Sequence, residues 1–204
     1  MSNTLGFALI ADGSSDRALF PIIRWTIRLL LPRVSLFERG FVARGGRPLV
    51  PTIREAIEEF SPDVLFVHRD AERSTLEDRR MEVPTSPGPI VRVVPVRMME
   101  AWLLIDEPAL RVAAGNPNAT SSLDLPRADE LESIPDPKAR IGELLLRASG
   151  LHSPRRLKRL RRDIAHRVQR LSQLIRDFTP LLRLSAFSAF RAELEAVLSA
   201  GPWT

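Results

Sequence analysis

Acidic residues stand at three places where an apolar run ends. Leu5 to Ile10 leads into Asp12-Gly13, with Asp16 four residues after Asp12. Asp63-Val-Leu-Phe-Val67 leads into His68-Arg69-Asp70-Ala71-Glu72, and Ile90-Val-Arg-Val-Val94 leads through Pro95 toward Glu100. Short apolar runs of this kind fit buried strands. In a parallel sheet, ligands gather at the carboxyl ends of the strands. Carboxylates arriving there from separate strands make an oxygen-rich site that suits Mg²⁺. An ion so held can activate water and neutralise phosphate in phosphodiester cleavage. The metal-ligand candidates are Asp12, Asp70 and Glu72. The catalytic candidates are Asp12, His68, Asp70 and Glu100, with His68 as ion ligand or general acid/base.

Each residue also has a plainer reading. Asp12 and Asp70 could cap the helices that follow them. His68 could be a structural strand-end histidine. Glu100 sits beside Met99, Ala101 and Trp102, so it must be paired, exposed or a ligand. Arg97, three residues earlier, would neutralise it on a helix. Trp102 reads as core rather than as a base-stacking platform.

The elements that must position these groups alternate. A strand over Leu5–Ile10 is followed by a turn at 12–16 and apolar positions at Leu19, Ile22, Ile23, Ile27 and Leu30. Pro21 there requires a late helix start or a kink. A second strand is expected over Val34–Phe37, an amphipathic helix over Thr52–Phe60, and a charged helix over Glu72–Met81. Strand and helix in alternation predict an α/β fold with a mostly parallel, Rossmann-like sheet flanked by helices. The second half shows no strand. Asp106-Glu-Pro108 and Asp136-Pro-Lys138 each read as helix starts, with Asp at the cap and Pro in the first turn, and Gly115 and Gly150 as the stops. Leu157, Leu160, Ile164, Val168, Leu171, Ile175 and Phe178 recur every three or four residues, which predicts one long basic helix over about 155–178. A last helix covers Phe187–Leu198. The expected division is an α/β core over 1–115 and a helical extension over 116–204, packed on that core.

Charge follows the same division. The chain of 204 residues has a formal net charge of +5. Residues 1–150 carry 19 Lys and Arg against 21 Asp and Glu, whereas residues 151–204 carry 11 against 4. A basic segment on a near-neutral body suggests an anionic partner, nucleic acid first, with Arg155, Arg156, Arg159 and Arg162 as the contacts. The plainer account is a solvated Arg-rich helix, since Lys is rare throughout: only Lys138 and Lys158 occur. The absence of cysteine excludes disulfides, Cys-ligated metals and thiol catalysis. No apolar run reaches membrane-spanning length and Met1–Ile10 lacks the marks of a signal peptide, so a cytoplasmic protein without a membrane partner is expected.

Ala11-Asp-Gly-Ser-Ser-Asp16 followed by Leu65-Phe-Val-His-Arg-Asp-Ala-Glu72 resembles the metal-binding motifs of the Toprim fold of topoisomerases, bacterial primases and overcoming-lysogenization-defect nucleases. Val94-Pro-Val-Arg-Met-Met-Glu-Ala-Trp-Leu-Leu-Ile-Asp106, Ile134-Pro-Asp-Pro-Lys138, the basic segment and Ala186-Phe-Ser-Ala-Phe190 are similar to an uncharacterised bacterial Toprim-like family, over essentially the whole chain. The resemblance implies a Toprim-like fold and Mg²⁺ or Mn²⁺ as cofactor. It puts Asp12 in place of the Toprim glutamate, and His68 and Asp70 in place of the Asp-x-Asp pair. Both Asp12 and His68 depart from that pattern: Asp is one methylene shorter, and a histidine nitrogen suits softer ions than Mg²⁺. The expected function is a divalent-metal-dependent nuclease or related phosphoryl-transfer enzyme. By analogy with the wider fold, a role in phage defence beside an ATPase partner is expected, since the chain has no phosphate-binding loop of its own. The competing expectation is a catalytically degenerate module that binds nucleic acid or a partner protein. A phosphatase using Asp70 as nucleophile fits least, because Glu72 stands where a second Asp is required.

Overall fold

The computed structural model describes residues 4–86 and 88–203; the start of the Met1–Ile10 stretch expected to lack a signal peptide, Met1 to Asn3, lies outside them. Four strands, β1 (Thr4–Ala11), β2 (Ser35–Ala43), β3 (Val64–His68) and β4 (Ile90–Val93), form one sheet in the order β2-β1-β3-β4. Every pairing is parallel. Among the described residues eight α-helices accompany it: α1 (Phe20–Leu30), α2 (Leu49–Phe60), α3 (Leu76–Met81), α4 (Glu107–Ala114), α5 (Pro137–Ser149), α6 (Pro154–Arg162), α7 (Ile164–Leu174) and α8 (Ser185–Ser199). The fold is therefore α/β with a parallel sheet between helices and a helical C-terminal part, as the alternation predicts. Among the described residues no helix is long and apolar enough to cross a membrane.

The period of two along each strand sends alternate side chains to opposite faces. Leu5, Phe7, Leu9, Phe66, Val91 and Val93 enter a large core with α1 and the helices after residue 100. Ala8, Ile10, Leu65, Val67 and Ile90 enter a smaller one, closed by Ile53 and Ala56 of α2 and by Val83. The strands β1 and β3 are buried on both faces, which is why they read as unbroken apolar runs. The large core continues into α5, α7 and α8, so the segment after residue 116 shares its interior with the sheet.

Several elements differ from the sequence expectation, each for a local reason. The strand expected at Val34–Phe37 runs on to Ala43. It lies at the sheet edge and is mostly exposed, so Glu38 and Arg39 interrupt the apolar signal while the strand goes on, with Arg39 the residue skipped in the pairing. Its register with β1 shifts between Phe7 and Ala8, a bulge of the kind that discourages further pairing at an edge. The ring of Phe60 covers Gly40 so closely that a Cβ there would lie 2.5 Å from it. Pro21 neither kinks nor breaks its helix: a 3-10 turn at Ser14–Leu19 delays the start, and Pro21 falls in the first turn. The charged helix begins at Leu76, not Glu72, with Thr75 as its cap. The single helix expected over 155–178 is two. Asp163 leaves helical geometry at φ −98° and ψ 1°, separating α6 from α7, and Ile175 and Phe178 reach the core from non-helical chain.

One polar tie crosses from α8 to the sheet. Glu193 meets Arg92 of β4 at 2.9 Å and Arg80 of α3 at 2.7 Å, and all three side chains are largely covered. Removing the carboxylate leaves two partly buried guanidiniums without an anion. Glu193→Ala is expected to lower stability by about 2–3 kcal/mol in urea melts. Glu193→Ala combined with Arg80→Ala and Arg92→Ala should recover part of that loss, because the uncompensated charges go too.

Candidate functional site

The strand order reverses direction between β1 and β3. The chain steps from β1 to β2 on one side, then returns to place β3 on the other. Such a switch point opens a crevice at the carboxyl ends of the two strands. His68 is the last residue of β3, and its ring is fully buried there. Its Nδ1 lies 2.9 Å from the carbonyl oxygen of Val93. A carbonyl only accepts, so Nδ1 carries the proton and donates. The lone pair of Nε2 in the neutral ring then points into the crevice, where the nitrogen has no hydrogen-bond partner. Two carboxylates flank it: Asp70 Oδ1 at 3.4 Å and Asp16 Oδ2 at 3.9 Å.

Local geometry fixes both acids. Asp16 closes the turn after β1: its Oδ2 accepts from the Gly13 amide at 2.8 Å and its Oδ1 from the Ser15 hydroxyl at 3.1 Å. Asp70 accepts from the Met99 amide at 2.9 Å, which ties the β3 end to the chain leaving β4. That amide opens a 3-10 turn over Met99–Leu103, and Glu100 on it is buried. Burial raises the Asp70 pKa, and the Asp16 and Asp12 charges add to the rise; His68 and the Met99 amide oppose it. Burial likewise raises that of Glu100, helped by Asp70 and Asp16 and opposed by its own backbone amide and by Lys138 at the start of α5. Asp16, Asp70, Glu100, His68 and Lys138 therefore form one electrostatic group.

The structure sorts the candidates accordingly. It brings together His68, Asp70 and Glu100, and neither alternative proposed for the last two residues holds: the helix after Asp70 is capped by Thr75, and Arg97 donates to the Glu72 carbonyl rather than pairing with Glu100. It holds Asp12 apart. Both Asp12 oxygens are taken, Oδ1 by Arg44 at 2.6 Å and Oδ2 by Arg69 at 3.2 Å. Two guanidiniums at that range repel a metal ion. Glu72 is also outside the group: it is largely exposed, and its nearest cation is Arg79 at 3.8 Å. Asp16, four residues beyond the motif acid, is the residue that motif reading passed over. The spacing that marks it is the turn itself, because an acid three residues after Gly13 can reach back to the Gly13 amide. Lys138 left a fainter signal, as one of only two lysines in an Arg-rich chain.

Among the described residues no group of three His, Cys, Asp or Glu side chains is gathered closely enough to ligate an ion as placed. Mg²⁺ does not require one. It keeps several waters and is commonly held by one or two carboxylates together with substrate phosphates.

The raised pKa of Glu100 has a definite sign in stability. The folded state holds the Glu100 proton to higher pH than the unfolded chain does. Its favourable contribution is complete below the unfolded pKa and is lost as pH rises through the folded one. With chelator present, Glu100→Gln should gain stability relative to the parent between about pH 4 and pH 7. Paired urea melts at the two ends of that range measure it; a difference that stays constant or shrinks would remove the burial argument.

Comparison with protein-family models, with curated proteins and with solved structures returned no match for this chain.

Proposed function

We propose that the chain is a divalent-metal-dependent phosphoryl-transfer enzyme of nuclease type, acting at the crevice between β1 and β3. The observation that carries this reading is the buried Nε2 of His68, unpartnered and flanked by Asp16 and Asp70. A lone pair between two ionised carboxylates is unfavourable unless a cation or a proton lies among them. Asp16 and Asp70 are the residues that would hold Mg²⁺ or Mn²⁺, with Glu100 beside them. Such an ion supplies Lewis-acid stabilisation of phosphate oxygens and a water of lowered pKa. The Val93 carbonyl fixes the His68 tautomer and ring orientation, the usual arrangement behind a metal-binding histidine. Lys138 offsets negative charge at Glu100, and Arg44 and Arg69, anchored on Asp12, put cations at the crevice rim. The similarity of the motifs to Toprim nucleases agrees with this reading in the order of its acids, but with Asp16 in place of Asp12.

A second reading has its own support. With no ready three-residue ligand set among the described residues, a proton on Asp70, whose pKa burial raises, answers the Nε2 lone pair instead. The domain would then be a non-catalytic module. Incubation with plasmid and single-stranded DNA in Mg²⁺ and in Mn²⁺, paired with thermal melts in the same ions, separates the two. Metal-dependent cleavage and a metal-dependent rise in Tm support the enzyme. A Tm indifferent to both ions, with no cleavage, leaves the module.

A further inference from the structure

The densest charge on the molecule is far from the crevice. Helix α6 reads Pro-Arg-Arg-Leu-Lys-Arg-Leu-Arg-Arg. Among the described residues none of its six cations makes an ion pair or a side-chain hydrogen bond. Elsewhere Arg44, Arg69, Arg80, Arg92, Arg111 and Arg147 each hold a carboxylate, and the arginines that do not are dispersed; among the described residues no other helix gathers six cations without an acid. A bias toward Arg over Lys explains the residue type but not the missing partners. The one acid between residues 151 and 176, Asp163, faces α7 and holds His166 and Arg167.

The helix is also built against its own stability. Arg155, Lys158, Arg159 and Arg162 recur at three- and four-residue spacing opposite Leu157 and Leu160. Like charges at that spacing repel. Arg155 and Arg156 further sit in the first turn, at the positive end of the helix dipole. With Ser153 and Lys158 they line an open concavity of about 580 Å³ that contains no acidic residue.

We propose that α6 is a grip for the phosphodiester backbone of a nucleic acid. Its cations spread along about 10 Å of helix, which matches a repeating anion rather than a single phosphate. Guanidiniums suit bidentate contact with phosphate oxygens. An anionic membrane is a poorer fit, because a surface-lying helix needs an apolar face to insert. Here Leu160 is buried, Leu157 is half-buried, and every other α6 residue that faces solvent is charged or proline.

The grip deepens the nuclease reading and rests on it for its consequence. Helix α5 joins the two regions, with Lys138 beside Glu100 at its start and α6 following its end. Between Lys138 and Ser149 the helix rises about 17 Å, roughly five nucleotides at 3.4 Å each. The substrate is then a polymer, held at a distance from the bond that is cut.

The test is binding in chelator, where no cleavage occurs, to a fluorescent DNA duplex of about 20 base pairs over a range of salt. Vesicles of phosphatidylserine and phosphatidylcholine, polyglutamate and inorganic phosphate serve as competitors. The intact protein should bind with steep salt dependence. The variant with Arg155→Gln, Arg156→Gln, Arg159→Gln and Arg162→Gln should lose up to about 3.6 units of log–log slope. Its Tm should hold or rise, which separates lost contacts from misfolding. An unchanged slope overturns the proposal, as does displacement of the duplex by vesicles, by polyglutamate at equal charge or by inorganic phosphate at comparable concentration. Duplex binding without metal-dependent cleavage would sink the enzyme and keep the grip; cleavage without α6-dependent binding would do the reverse.

Discussion

Asp70→Asn is expected to make the protein more stable and less capable at once. The amide keeps the shape of the side chain, and its oxygen can still accept from the Met99 amide. It removes a buried negative charge that lies near Asp16 and Asp12. In chelator the Tm should therefore rise. In Mg²⁺ or Mn²⁺ the order should invert. An ion at 100 times its Kd stabilises the binding-competent protein by about 2.7 kcal/mol. For a chain of this size that is roughly 5–11 °C, and Asp70→Asn should forfeit nearly all of it. Cleavage should fall at least about 100-fold, since loss of even an outer partner of a ligand costs 10- to 100-fold. The metal-dependent gain must also fade as pH falls, because protons compete for a carboxyl whose pKa burial has raised. Asp12→Asn is the contrasting variant. It should lose stability by releasing Arg44 and Arg69, and retain the metal-dependent rise. A metal response that followed Asp12 and ignored Asp70 would show that the ion sits elsewhere.

The second large effect is expected in the core. Trp102 is fully buried and meets Phe187 edge-on at 5.3 Å and Phe190 in a stacked contact at 6.2 Å. Phe190 in turn meets Phe66 of β3, which meets Phe7 of β1. Trp102→Ala opens the centre of this chain of rings and should cost about 3–5 kcal/mol in urea melts, or roughly 6–20 °C in Tm. Trp102→Phe should cost less, because its indole nitrogen has no hydrogen-bond partner to lose. Trp102 and Glu100 share one 3-10 turn, so the alanine variant should also disturb the crevice. A loss below about 1 kcal/mol would mean that the ring cluster is not where the large core closes.

What was legible in the sequence was local. Asp106 and Asp136 announce helix starts because their carboxylates accept from amides three residues on, as they do at 2.8 Å in both cases. Gly115 and Gly150 announce the ends because both adopt positive φ. Strands β1 and β3 are legible because burial on both faces leaves only apolar residues and Gly6 over Leu5–Ala11 and Val64–Val67. The edge strand β2 was half legible, since pairing on one side alone does not demand apolar residues. The break at Asp163 was hidden by an apolar stripe that continues through it. Within the site, the order of acids along the chain located the right strand ends. It could not choose between Asp12 and Asp16, because that choice is made by Arg44 and Arg69, remote in sequence.

The contact of Trp102 with Phe187 and Phe190 also orders events in time. During synthesis the four strands emerge well before residue 185, yet the large face of the sheet is only partly covered until α8 follows. Until then Phe66 and Trp102 have no ring from α8 against them, and Glu193 cannot reach Arg80 and Arg92. The exposed apolar surface of such an intermediate invites aggregation. The acidic crevice carries a penalty of its own, because its buried carboxyls resist closure at neutral pH. Assembly of the crevice is thus a late event that waits on the last helix. A nascent chain stalled before that helix should remain open to protease along β3 and β4, and become resistant only once residues 185–199 have cleared the ribosome.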